Sequence, residues 1–178
     1  MFRKLALATA AFALTGSAAM AADLYIPETP MPIVESAGVG FEGLYAGVQL
    51  GGFGAENADT TALVGGVVGY NFAVSPILVG VELQGNYYFG SNSYNAGFEL
   101  FALGKLGFVV TDDFAVYALG GVGYFWEELA DYSEYLLGVG AEFKVSDEVG
   151  IRGDVLAYGF DSSGFEGARA TVGVLWHF

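Results

Sequence analysis

The chain has 178 residues, enough for one domain and a short targeting segment. It is 54% hydrophobic and 16% aromatic, holds 28 glycines and no cysteine, and sets 20 acidic against 6 basic residues for a formal net charge of −14. The missing cysteines exclude disulfides and thiolate metal sites, the lack of any apolar run of about 20 residues excludes a helical membrane protein, and the acidic balance argues against nucleic acid as a partner.

Residues 1–21 read as a signal peptide. Arg3 and Lys4 form a basic start, Leu5 to Thr15 is a short apolar stretch of mainly Ala, Leu and Phe, and Ala19-Met20-Ala21 fits a small-x-small cleavage site with the cut before Ala22. Removal would leave 20 acidic and 4 basic residues, a net of −16 (4 − 20). Residues 22–40 contain Pro27, Pro30 and Pro32, which cannot donate to a sheet ladder, so this segment reads as a periplasmic tether. Gly38, Gly40 and Gly43 spell G-x-G-x-x-G, but a dinucleotide loop needs a strand before it and a helix after it; here a Pro-containing tether precedes and a strand follows.

The remaining span, 41–178, divides into eight expected strands: Gly43–Gly52, Thr61–Phe72, Ile77–Phe89, Ala96–Val110, Phe114–Trp126, Tyr132–Val145, Val149–Phe160 and Gly167–Phe178. Ala73–Pro76, Thr111–Asp113 and Ser146–Glu148 are tight turns, whereas Ala55–Thr60, Gly90–Asn95, Glu127–Asp131 and Asp161–Glu166 are longer and richer in polar residues. An even strand count with two classes of connection predicts an all-β, eight-stranded antiparallel up-and-down transmembrane barrel, short turns in the periplasm and longer loops outside.

Side-chain parity separates two faces. Glu82, Gln84 and Asn86 oppose Val79, Val81, Leu83 and Tyr87; Glu99 and Lys105 oppose Phe98, Leu100, Ala102, Leu106, Phe108 and Val110. Glu134, Glu142 and Lys144 oppose Tyr135, Leu137, Val139, Ala141 and Phe143, and Arg152 and Asp154 oppose Ile151 and Val155. In the last strand Arg169 faces away from Val172, Val174, Trp176 and Phe178. The uncharged fifth strand cannot be oriented this way. A charge on the lipid face costs roughly 2–4 kcal/mol for Arg or Lys at mid-depth, so the charged face is expected to line the lumen. A soluble barrel with the charged face outward fits less well. That face also carries Phe101 and Leu103, and aromatics gather at strand ends, with Tyr70, Phe72, Phe108, Phe143, Trp176 and Phe178 toward one rim and Tyr87, Phe89, Phe98 and Tyr135 toward the other.

The signal peptide running into Ala21-Ala22-Asp23-Leu24, the Pro-containing tether, Leu44-Tyr45-Ala46-Gly47 opening the first strand and Val174-Leu175-Trp176-His177-Phe178 closing the last together resemble the small outer-membrane β-barrel proteins of Gram-negative bacteria. Within them the chain is most similar to the alphaproteobacterial opacity-like, porin-family surface antigens. The resemblance implies residence in the outer membrane among lipid and lipopolysaccharide. It also implies that Trp176 and Phe178 form the signal read by the barrel-assembly machinery. The short loops depart from long-looped adhesins.

The nine charged residues Glu82, Glu99, Lys105, Glu134, Glu142, Lys144, Arg152, Asp154 and Arg169 are expected to pair as an ionic network that closes the lumen, since eight strands enclose little more than their own side chains. The alternative is a narrow, cation-preferring pore, and a second is a surface ligand-binding or adhesion module using the outer loops. Catalysis finds no nucleophile–base constellation; His177, the single histidine, reads as a rim residue. Glu56, Asp59, Glu127, Glu128, Asp131, Asp161 and Glu166 fall in the outer loops and Asp112, Asp113, Asp147 and Glu148 in the inner turns, without EF-hand spacing, so they read as solvated charge that opposes aggregation. No cofactor, catalytic residue or metal ligand is expected.

Overall fold

A computed structural model describes residues 39–55, 58–91, 95–127, 130–160 and 164–178. The expected signal peptide, and the tether up to residue 38, lie outside the described residues. So do Glu56, Glu128 and Asp161 of the outer loops.

Eight strands close into one antiparallel barrel in sequence order: β1 (Gly43–Ala55), β2 (Thr61–Val74), β3 (Ile77–Tyr88), β4 (Gly97–Thr111), β5 (Phe114–Glu127), β6 (Ala130–Lys144), β7 (Val149–Gly159) and β8 (Gly167–His177). Boundaries move from the sequence reading by up to three residues. The β5–β6 connection is tighter than expected, because pairing runs on to Glu127↔Ala130. Closure through β1–β8, from Tyr45↔His177 to Ala55↔Gly167, leaves no open sheet edge. A barrel in hydrocarbon requires this, because an exposed backbone edge there has no water to bond.

The register fixes the dimensions. Following the pairs Gly43↔Asn71↔Gly80↔Lys105↔Leu119↔Gly138↔Leu156↔Arg169↔Phe53 once around returns to β1 ten residues along (53 − 43). With strands about 4.8 Å apart and a rise of about 3.4 Å per residue, that stagger tilts the strands by about 41° and gives a backbone radius of about 8 Å. Side chains from opposite walls therefore meet inside.

Burial alternates residue by residue, as in β3 (Ile77 exposed, Leu78 buried, Val79 exposed) and β4. The outer surface presents Val48, Leu50, Val64, Val68, Val81, Leu83, Leu106, Val122, Leu137, Val139, Val155 and Val172. Aromatic pairs flank this band. Tyr70–Phe72 (centroids 4.7 Å apart) sits at the turn end; Tyr87–Phe89 (5.4 Å), Tyr124–Trp126 (4.9 Å) and Tyr135–Phe165 (5.5 Å) sit at the loop end. Phe98 and Phe108 on β4 are ten residues apart (108 − 98), which at this tilt places the two girdles about 26 Å apart along the axis, close to the height of an outer-membrane apolar band. The fifth strand is now oriented: Ala115, Tyr117 and Leu119 point inward, and Val116, Val122, Tyr124 and Trp126 outward.

Before β1, a 3₁₀ turn at Val39–Phe41 folds into the turn end of the barrel. Gly43 follows at φ +108°, where a side chain would be strained, and its freedom lets the chain swing from this turn into the first strand.

Candidate functional site

The lumen is the one place where the sequence concentrates chemistry, and the alternation of eight strands aims all nine named charges into it. Each of Glu82, Glu99, Lys105, Glu134, Glu142, Lys144, Arg152, Asp154 and Arg169 is buried. They do not form a single network. Three groups lie along the barrel.

The central group is densely bonded. Arg152 on β7 grips Glu82 on β3 with two parallel bonds, Nη1 to Oε2 at 2.6 Å and Nη2 to Oε1 at 2.9 Å. Its Nε donates to Asp154 Oδ2 at 2.8 Å, and its Nη2 also reaches that carboxylate. Bidentate charge-assisted bonds of this kind fix position as well as charge. Lys105 lies 3.3 Å from Glu82 and donates to the Tyr45 hydroxyl at 2.8 Å, while that hydroxyl donates to Glu82 at 2.5 Å. The Lys105 ammonium is held 4.5 Å from the ring centres of both Tyr45 and Tyr117, and Tyr117 donates to Asp154 at 2.9 Å. Gln84 donates to Glu82 at 2.6 Å, and Gln49 links Gln84 (3.0 Å) to Asn86 (2.7 Å). Two anions and two cations are thus neutralised in a buried interior, the geometry in which an ion pair repays its desolvation.

The turn end carries Glu142 and Lys144, which do not bond each other. Glu142 Oε1 lies 2.6 Å from His177 Nε2, and Lys144 Nζ donates to the Gly40 carbonyl. His177 is therefore no rim residue. It is 8% exposed, and its ring lies 5.6 Å from Tyr45 and edge-on to Phe41 at 6.3 Å. Parity had already placed it with Arg169 on the inward face; what misled was its position one residue from the end of the chain. Phe41 is fully buried against Leu78, Val109 and Ala115, its carbonyl accepts from Asn71 at 3.0 Å, and Lys144 lies 5.6 Å from its ring centre. The 3₁₀ turn thereby corks this mouth.

At the loop end Arg169 pairs with Glu99 and lies 4.3 Å from the Phe101 ring and 5.8 Å from Phe53. Around them packs an apolar cluster of Phe53, Leu63, Tyr88, Phe101, Leu103, Leu119, Leu136, Leu156 and Tyr158. Glu134 has no ion pair among the described residues; both its oxygens lack a hydrogen-bond partner. The sequence reading of a lumen filled with paired charge is corrected here: a large share of the filling is apolar and aromatic. Tyr45, Tyr117 and Phe41 were missed. Tyr45 shares the inward parity of Gln49, and Tyr117 lies two residues before Leu119, the partner of Lys105.

Glycines make the fit possible. A Cβ on Gly69 would collide with the Tyr45 hydroxyl, and one on Gly140 with Asp154 and the Tyr117 ring. Among the described residues no group of three or more Asp, Glu or His side chains is placed to hold a metal ion. The geometry positions buried ion pairs across the centre of the lumen.

The fold recurs in solved structures. The N-terminal β-barrel domain of Pseudomonas aeruginosa OprF matches with a TM-score of 0.58 at 14% identity, covering 77% of this chain and 98% of that one. Ail, the attachment invasion locus protein of Yersinia pestis, matches with a TM-score of 0.56 at 13% identity, covering 77% and 99%. A second Ail structure, in complex with the heparin analogue sucrose octasulfate, gives 0.53 at 14% identity with the same coverage. Comparison with curated proteins returned no match. The model of the outer membrane protein β-barrel domain matches residues 7–178, nearly the whole chain. With the closed eight-stranded barrel and its girdled apolar surface, this match places the chain in the outer membrane protein β-barrel domain family.

Proposed function

We propose that this outer-membrane barrel serves a structural, surface-antigen role in the cell envelope and does not conduct. The carrying observation is the lumen. It is corked by Phe41 at the turn end, crossed at the centre by the Glu82–Arg152–Asp154–Lys105 group, and packed with aromatic side chains above. The chain reaches the membrane as an exported precursor cut before Ala22. The tether expected over residues 22–40 then leads through the periplasm into the 3₁₀ turn at Val39–Phe41, and Trp176 and Phe178 present the assembly machinery with its terminal aromatic signal. Lipid surrounds the barrel, and lipopolysaccharide contacts its loop end.

A narrow cation pore is the competing reading, and the acidic excess gives it its sign preference. Adhesion is the third. The sulfated ligand in the Ail structure would need basic loops, but every Lys and Arg of this chain after residue 4 lies in the lumen. Planar-bilayer recording of the purified barrel under a salt gradient tests the proposal. The expected trace is flat; steady, large conductance would overturn it in favour of the pore.

A further inference from the structure

The nine lumen charges carry one negative charge in excess (five minus four), and the structure locates it. Glu82 and Asp154 cancel Lys105 and Arg152 in direct contact, and at the turn end the formal charges of Glu142, which faces His177, and Lys144, which holds the Gly40 carbonyl, sum to zero. The excess falls on the loop-end trio of Glu99, Glu134 and Arg169. Arg169 reaches Glu99 Oε1 through Nη2 and lies over the faces of Phe101 and Phe53, while its Nε has no hydrogen-bond partner among the described residues. Glu134 is 4% exposed, and among the described residues neither of its oxygens, nor Glu99 Oε2, has a hydrogen-bond partner. The site is walled on one side by Gly123: a Cβ there would sit 2.8 Å from Glu134 Oε1 and 2.5 Å from the Phe101 ring. The carboxylate thus lies beside the ring that Arg169 covers, pointed into the lumen. Two buried carboxylates that share one guanidinium leave one negative charge uncompensated, and an uncompensated buried charge is among the most costly states a protein can hold.

We propose that Glu134, together with the free oxygen of Glu99, binds one alkali-metal cation at the loop end of the lumen. Carboxylate oxygens are the ligands a hard cation takes. One positive charge brings the trio to neutrality, whereas a divalent ion would reverse its sign. The proposal concerns the occupancy of one mouth and does not depend on whether the lumen conducts.

The test is the urea unfolding midpoint of the purified barrel in detergent micelles at pH 8 and equal ionic strength, in sodium, potassium or tetramethylammonium chloride. The wild type is expected to unfold at lower urea in tetramethylammonium, which is too large to enter. Glu134→Gln is expected to give one midpoint in all three salts, with Glu134→Ala as the substitute if the first variant does not fold. Equal wild-type midpoints in the three salts overturn the proposal whatever the variants do. If the midpoint instead responds only to lowered pH, the neutralising species is a proton and the proposal also fails. Dependence that persists in the variant places the ion elsewhere and overturns it too.

Discussion

Arg152 is the side chain whose removal is expected to damage the barrel most. It makes two bonds to Glu82 at 2.6 and 2.9 Å and reaches Asp154 through both Nε and Nη2, and all three side chains are buried. Truncation to Ala leaves the central group with two carboxylates and one ammonium, a net of −1 (1 − 2), and also strips the bidentate contact. Breaking a buried pair by removing one partner costs about 3–5 kcal/mol, and two carboxylates lose a partner here, so Arg152→Ala is expected at the upper end of that range. The lipid-facing control, Leu100→Ala, removes an outward methyl cluster that exchanges hydrocarbon for hydrocarbon and should cost well under about 2 kcal/mol. Arg152→Met combined with Asp154→Asn restores charge balance around Glu82 and Lys105 and should recover part of the loss. Urea unfolding in phospholipid vesicles, followed by tryptophan fluorescence and by heat-modifiable gel mobility, compares the three variants with the wild type. An Arg152→Ala barrel as stable as the Leu100→Ala one would refute the view that the central ion pairs hold the lumen together.

Two further outcomes follow from the packing and the strand ends. Gly69→Ala should destabilise the barrel by pushing the Tyr45 hydroxyl off Glu82, whereas Gly66→Ala, whose new methyl meets nothing closer than a carbonyl 3.6 Å away, should be neutral within about 0.5 kcal/mol; the same unfolding assay compares them. Replacing Trp176 and Phe178, both exposed on the outer surface, with polar residues should leave export intact and lower the yield of folded barrel in outer-membrane fractions. Normal yield after the double change would count against the assembly-signal reading.

Most of the fold was legible because a barrel wall has two unlike solvents. Lipid tolerates no charge, so Glu82, Glu99, Glu134, Arg152 and Arg169 declare the inward parity of their strands, and pairing to neighbours carries it around. Parity is silent where a strand carries no charge. Residues 114–126 contain no charge, and the inward role of Tyr117 follows only from register, since Lys105 stands opposite Leu119. Pairwise partners were not legible either. That Lys144 would bond a backbone carbonyl and His177 would take Glu142 depends on the 3₁₀ turn at Val39–Phe41, which no periodicity announces. Nor does composition reveal that the charge excess gathers at one mouth; that follows from the stagger of ten residues, which sets the heights of Glu99, Glu134 and Arg169 together.

Single-cysteine labelling in native outer membranes tests the closed, lipid-encased barrel most directly, because the chain has no cysteine of its own. Cysteines at outward Val81, Leu83 and Leu106 should react with a membrane-soluble maleimide and not with a charged, water-soluble one. Cysteines at inward Gln84, Leu103 and Leu119 should react with neither in the folded state and with both after denaturation. Labelling of positions 84, 103 and 119 by the water-soluble reagent in the folded protein would show a wet, open lumen and contradict the closed one.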